Sequence, residues 1–125
     1  MGVLSLLTGC GFLRPSIGAV EEAIMDAPGV TAVDLTIGPG GGLGNNVSGR
    51  ITFSVSADEL PDALDEAWRR GVEVIHRMDK NAARWPADGV VGVTDGAEMP
   101  VGELLDTSEN SWVSMGRFFE LYGLE

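Results

Sequence analysis

The fold of this chain is decided by the stretch SADELPDALDEAWRRGVEVIHRM, residues 56–78. Its first four residues form a capping box, in which Ser56 caps a helix and the Glu59 side chain reaches back to the cap amide. From there the apolar residues recur every three or four positions, which is the spacing of one helical face. That face comprises Leu60, Leu64, Trp68, Gly71, Ile75 and Met78. We therefore predict a long helix, ending near residue 78, with one side buried in a core.

The charges along this stretch also favour a helix. Acidic residues crowd its first turns and Arg77 lies near its end, as the helix dipole prefers. Opposite charges also recur four positions apart with the acid first, which is the better orientation. The predicted pairs are Asp65 with Arg69, Glu66 with Arg70, and Glu73 with Arg77.

Strands are predicted on both sides of this helix, because apolar and polar residues alternate there with a period of two. The alternating segments are residues 30–37, 47–56, 90–94 and 98–101, and further helices are predicted over residues 17–27 and from residue 111. The order αββαββα favours an α+β fold, a two-layer sandwich with a mostly antiparallel sheet and helices on one face. If residues 3–7 add a strand, the first six elements become βαββαβ, so the expected fold is ferredoxin-like or a variant of it.

The composition limits the size and the partners of the protein. With 125 residues the chain fits one domain that can bury its own core. It carries 19 acidic against 8 basic residues, a net charge of −11. Such a surface repels phosphate backbones and anionic headgroups, so we expect no nucleic-acid partner and no electrostatic docking to membranes.

The sequence contains no residue pattern typical of a catalytic or metal site. His76 is the only histidine, and no G-x-S-x-G motif supplies a nucleophile for it. The acids do not follow the calcium-loop spacing, and a single cysteine cannot form a paired metal site. The Gly-rich residues 38–46 join two strands and contain no lysine, which predicts a hairpin tip and not a phosphate-binding loop. We expect a protein that is not an enzyme and uses no metal or cofactor.

The single cysteine, Cys10, ends the sequence Leu7-Thr8-Gly9-Cys10. This order resembles a bacterial lipobox, in which the cysteine receives diacylglycerol and becomes the first residue of the mature chain. Each buried CH₂ of an acyl chain such as palmitate contributes about 0.8 kcal/mol to membrane binding, so several chains hold firmly. On this interpretation residues 1–9 are a residual signal-peptide-like segment, residues 10–125 form a single α+β domain, and Cys10 is the lipidation site.

Two features separate the first residues from an ordinary secretory signal and leave an alternative open. A signal normally begins with positive charge and runs for about 15–30 residues. Here only nine residues precede Cys10, and the first basic residue is Arg14. A start codon assigned too far downstream would account for both. In the alternative, residues 3–7 form a core strand, Cys10 is a buried thiol, and the protein is a cytosolic ferredoxin-like binding or assembly domain.

Several segments together resemble one class of protein. They are the lipobox, a helix ending in Ala27-Pro28-Gly29-Val30, the Gly-rich hairpin, the strand Ser48-Gly49-Arg50-Ile51-Thr52 and the long acidic helix. Over about residues 5–105 the chain resembles the small, uncharacterised lipoproteins of high-GC Gram-positive bacteria (actinobacteria). The resemblance implies a lipid anchor on the extracellular side of the cell membrane and a non-enzymatic binding module. By analogy with small exclusion lipoproteins, a narrower version of this hypothesis is the exclusion of competing phages.

A C-terminal aromatic stripe is the candidate surface for a protein partner. Its members are Trp112, Met115, Phe119 and Tyr122, at steps of three, four and three. Such side chains anchor a partner when they are exposed at an interface. The alternative is that they cover an open part of the sheet and need no partner.

Overall fold

The computed structural model describes residues 17–39, 45–78, 80–87, 89–105 and 113–124, which contain three α-helices and four strands. In chain order they are α1 (Ile17–Met25), β1 (Val30–Pro39), β2 (Asn45–Phe53), α2 (Leu60–Met78), β3 (Gly89–Thr94), β4 (Ala97–Pro100) and α3 (Met115–Leu121). Short 3-10 turns lie between them at Ala57–Glu59, Lys80–Arg84 and Val101–Leu104. The C-terminal helix is shorter than its sequence predicts, because it begins at Met115, after Ser114 at the N-cap position.

The four strands form one mixed sheet in the order β1-β2-β3-β4. Strands β1 and β2 are antiparallel, as are β3 and β4, whereas β2 and β3 run parallel. A parallel pair needs a long crossover connection, which α2 provides. Helices α1 and α2 pack on the apolar face of this sheet, and α3 packs beside α2 and the turn Lys80–Arg84. The predicted two-layer α+β sandwich is confirmed.

The order of the strands differs from that of the ferredoxin-like plait. In that plait, a further strand splits the two parallel strands of a βαβ unit. Here β2 and β3 are paired directly, from Ser48 beside Gly89 to Thr52 beside Val93. Every inner position of the described sheet is therefore filled, and an added strand could pair only at the outer edge of β1 or β4. Residues 3–7, the candidate for that strand, lie outside the described residues.

Helix α2 provides the centre of the core. Of the six residues predicted for its apolar face, five are buried and Met78 is partly exposed. Ala67 and Val72 widen the buried face beyond the prediction. Trp68 is fully buried and meets the ring of Phe118 edge-on, with ring centroids 5.4 Å apart. The predicted orientation of α2 is therefore confirmed.

The beginning of α2 is capped as its sequence predicts. The Glu59 carboxylate accepts a hydrogen bond from the Ser56 amide at 3.2 Å. The Glu59 amide donates in turn to the Ser56 carbonyl at 3.0 Å. These contacts fix where the helical segment starts, and with it the side of α2 that faces the sheet.

A close backbone approach at Gly49 sets the packing of β1 against β2. Gly49 lies opposite Leu35 and has a φ of +138°, a conformation that residues with a Cβ rarely adopt. A Cβ on Gly49 would lie 2.1 Å from the carbonyl oxygen of Asp34. Any side chain at this position would therefore push the two strands apart.

Two polar contacts tie the sheet to neighbouring segments. At the outer edge of β1, the Leu35 amide donates a hydrogen bond to the Glu21 carboxylate of α1 at 2.9 Å. At the end of β3, the buried Thr94 hydroxyl donates to the Val55 carbonyl, and the Phe53 carbonyl oxygen lies 3.2 Å away. Buried polar groups need hydrogen-bond partners of this kind. The contact links the end of β3 to the end of β2 and the residues that follow it.

Candidate functional site

The residues predicted for lipidation and partner binding divide into two groups. Cys10 and Trp112 lie outside the described residues. Met115 and Phe119 are buried in the core, where the Phe119 ring contacts the ring of His76 at a centroid distance of 4.8 Å. Met115 and Phe119 therefore hold α3 against the domain, and a partner cannot reach them without unfolding this helix.

Tyr122, the last member of the predicted stripe, links the end of α3 to α2. Its hydroxyl donates a hydrogen bond to the Asp65 carboxylate at 2.7 Å. Burial, and next this hydrogen bond, raise the pKa of the Tyr122 hydroxyl well above its usual range. The described members of the stripe thus make contacts within the fold.

Asp65 does not make the ion pair that its spacing predicts. Arg69, its predicted partner, binds Glu66 at 2.7 Å and Glu73 at 2.9 Å instead. The predicted pair of Glu66 with Arg70 does form, at 2.8 Å. The hydrogen bonds from Arg69 and then from Arg70 hold the pKa of the Glu66 carboxyl below its usual value. The positive charges in the middle of α2 are therefore already engaged by neighbouring acids.

A groove opens where α2, β4, the turn Val101–Leu104 and the end of α3 meet. It has a volume of about 420 Å³, and three of its lining side chains are carboxylates. No basic residue lines it among the residues that the structure describes. We call it the acidic groove, and its lining residues are Pro61, Asp62, Asp65, Met99, Glu103, Leu104, Leu121 and Tyr122.

Asp62 also lines a second groove, of about 380 Å³. Three apolar residues contribute to it, Pro28 and Val55 from the connections that follow α1 and β2, and Ala63 from α2. Its other carboxylates are those of Glu59 and Glu66. The first turns of α2 therefore form an acidic ridge between two grooves with partly apolar walls.

The sheet face opposite the helices has a different, mixed character. Asp34, Arg50 and Val91 are neighbours there across β1, β2 and β3, beside a shallow hollow of about 460 Å³. Glu98 of β4 lies on the same face and is exposed. This row combines one acidic, one basic and one apolar side chain. It therefore favours neither a cationic nor an anionic ligand.

The sequence did not predict the acidic groove. Asp62 belongs to the acidic first turns of α2, which the helix dipole accounts for, and no pattern assigns a role to Glu103 or Leu121. These residues come from three separate segments that meet only when the chain folds. Leu121 carries no local signal either, because its exposure becomes visible only in the folded chain.

The described residues contain neither a clustered metal site nor a spanning helix. No three or more histidine, cysteine, aspartate or glutamate side chains among them are grouped to hold a metal ion. None of the described helices is long and apolar enough to cross a membrane.

Comparisons with family models, with curated proteins and with solved structures give no match to this chain. Its function is therefore inferred from its own residues.

Proposed function

We propose that the protein is a non-enzymatic, lipid-anchored component of the cell envelope that acts as a binding module on the extracellular side of the membrane. The observation that carries this proposal is the sequence Leu7-Thr8-Gly9-Cys10, which matches a lipobox and contains the only cysteine of the chain. Acylation of Cys10 would convert an acidic domain into a tethered one.

The pairing within the sheet favours this proposal over the cytosolic alternative. In the ferredoxin-like plait of the alternative, residues 3–7 would lie between β2 and β3 and pair with both. Because β2 and β3 are paired directly, the described sheet has no inner position for another strand. This order supports a role for residues 3–7 outside the middle of the sheet.

The spacing between Cys10 and α1 suits a short tether. Helix α1 begins at Ile17, seven positions after Cys10. An extended chain spans at most about 3.6 Å per residue, so the domain would lie within about 25 Å of the bilayer surface. At a net charge of −11 it is repelled by anionic headgroups. The acyl chains must then supply the attraction, at about 0.8 kcal/mol for each buried CH₂.

Cell fractionation tests the anchor. The gene is expressed in a Gram-positive host with its native upstream DNA, alongside the variant Cys10→Ala. We expect the unsubstituted protein in the membrane fraction, released by detergent but not by high salt, and the variant in the soluble fraction. A soluble unsubstituted protein, or a variant that stays in the membrane, would overturn the proposal.

The stability of the variant separates the anchor from the buried-thiol alternative. A cysteine on a tether contributes nothing to the core, so Cys10→Ala should leave the thermal unfolding midpoint of the purified full-length chain unchanged. A core thiol would instead leave a cavity, and the midpoint would fall. The second result would favour the cytosolic domain.

A further inference from the structure

We propose that the acidic groove binds a basic amphipathic segment of a partner protein, in which lysine or arginine side chains alternate with apolar ones. The inference rests on the proposed function, because it names the chemistry of the partner that the binding module would recognise. Its evidence is nevertheless separate, since it comes from the folded surface and not from Cys10.

The apolar part of the groove is the first step of the argument. Leu121 is 46% exposed, and among the described residues Met25 is the only other large apolar side chain with a similar exposure, 44%. Met99 and Leu104, partly exposed beside it, line the same groove. An apolar side chain of a partner that covered these residues would remove their apolar surface from water, which is favourable.

The charges of the groove are the second step. Asp62, Asp65 and Glu103 line it, and no described basic side chain does so. Asp65 accepts the Tyr122 hydroxyl, whereas Asp62 and Glu103 make no ion pair with any described residue. Negative charge that the fold does not neutralise attracts a cationic group and repels phosphate.

The nearby arginines do not compete for these carboxylates. Arg69 is held by Glu66 and Glu73, and Arg70 is held by Glu66, at distances of 2.7–2.9 Å. A partner cation therefore does not have to displace an existing ion pair from the groove.

The combination of apolar and acidic groups selects a peptide over a bare cation. A metal ion gains nothing from Leu121, Met99 or Leu104, because it binds through converging oxygen ligands. Lysine and arginine combine an apolar stem with a charged end. A segment that carries them beside leucine-like residues can use both parts of the groove.

The test uses a short fluorescent peptide in which lysine and leucine alternate, as in the proposed segment. It is titrated with the full-length chain, produced in the cytosol and hence unacylated, and fluorescence anisotropy gives the affinity. Two comparison peptides carry glutamine in place of lysine, or serine in place of leucine. We expect each comparison peptide to bind at least about tenfold more weakly, which corresponds to 1.4 kcal/mol.

Three variants locate the binding site. Glu103→Gln should weaken binding about two- to five-fold, and Leu121→Ser about tenfold. Glu98→Gln is the matched control, because it removes one acid from the opposite face of the sheet and should leave the affinity unchanged. Circular dichroism and thermal unfolding verify that each variant is folded.

Three results would overturn the groove assignment. They are an absence of binding, equal binding of the serine peptide, and an effect of Glu98→Gln as large as that of Glu103→Gln. Each would leave the acylation of Cys10 unaffected. A failed fractionation experiment would conversely leave the peptide result standing, so the two proposals fail separately.

Discussion

The hydroxyl of Tyr122 lies 2.7 Å from the carboxylate of Asp65, to which it donates a hydrogen bond across 57 positions of sequence. This contact joins the end of α3 to α2 and forms part of the wall of the acidic groove. It also explains why Asp65 and Arg69 do not pair, since Asp65 is engaged by Tyr122 while Arg69 turns to Glu66 and Glu73. A contact between distant residues thus overrides a favourable local spacing.

The titration of Tyr122 provides the first prediction. Its folded-state pKa is raised, so the protonated hydroxyl is favoured by folding. The associated stability is fully present below the unfolded pKa of about 10 and is lost as pH rises above it. We expect the near-ultraviolet phenolate signal, which reports on this sole tyrosine, to appear only well above pH 10 in the folded protein.

Two variants control the titration. Tyr122→Phe should abolish the signal and flatten the fall in unfolding free energy at alkaline pH. Asp65→Asn keeps a hydrogen-bond acceptor but removes the charge, so the midpoint should fall part of the way toward its usual value. A folded protein whose phenolate appears at about pH 10 would contradict the contact.

A comparison of Gly49 with Gly96 tests the close backbone contact between β1 and β2. Both have positive φ, +138° and +87°, but a Cβ would meet the Asp34 carbonyl oxygen at 2.1 Å in the first case and nothing within 4 Å in the second. Gly96→Ala should cost about 1–2 kcal/mol from backbone strain alone. Gly49→Ala should cost more than about 4 kcal/mol or prevent folding. Urea unfolding measures the loss of unfolding free energy for both variants. Similar losses would show that the close backbone approach at Gly49 adds nothing to the strain of its positive φ.

The buried hydroxyl of Thr94 should stabilise the junction between β2 and β3. Thr94→Val keeps the shape of the side chain but leaves the Val55 carbonyl without this donor. We expect a loss of about 1–3 kcal/mol in the free energy of unfolding. Thr36→Val is the matched control, because Thr36 is exposed on the other face of β1, and it should change stability by less than about 0.5 kcal/mol. Equal effects of the two substitutions would remove the role of Thr94.

Trp68 offers a further stability test. Its indole Nε1 is buried and has no hydrogen-bond partner in the described core. Leaving such a donor unpaired costs about 1–3 kcal/mol, and Trp68→Phe removes it together with some packing. We therefore expect Trp68→Phe to cost less than about 1.5 kcal/mol. Trp68→Ala, which empties the site beside Phe118, should cost about 3–5 kcal/mol. A loss for Trp68→Phe as large as that for Trp68→Ala in urea unfolding would contradict this prediction.

Helix α2 and the fold class could be predicted because their signals are local. Residues 56–78 combine a cap, a long apolar period and ordered charges, so every local preference favours one helix with one buried side. Strands β1 and β2 were predicted from alternation, and their antiparallel pairing is confirmed.

The sheet order and the acidic groove could not be predicted in this way, because they depend on contacts between distant segments. Periodicity in the sequence does not reveal the parallel pairing of Ser48 with Gly89 or the placement of Asp62 and Leu121 in one groove. The aromatic stripe shows what spacing alone does not decide. The spacing of Met115 and Phe119 is compatible with a partner surface and with a core, and in the structure both side chains are buried. Helical spacing identifies a face, but burial decides whether that face meets a partner or the core.

The lipid-anchor proposal is tested most directly by the mass of the N-terminal peptide of the protein purified from membranes of a Gram-positive host. We predict a chain that begins at Cys10, lacks residues 1–9 and carries a diacylglycerol group in thioether linkage to the cysteine sulfur. A chain that retains residues 1–9, with a Cys10 thiol that iodoacetamide alkylates only after unfolding, would contradict the anchor and favour a buried cysteine.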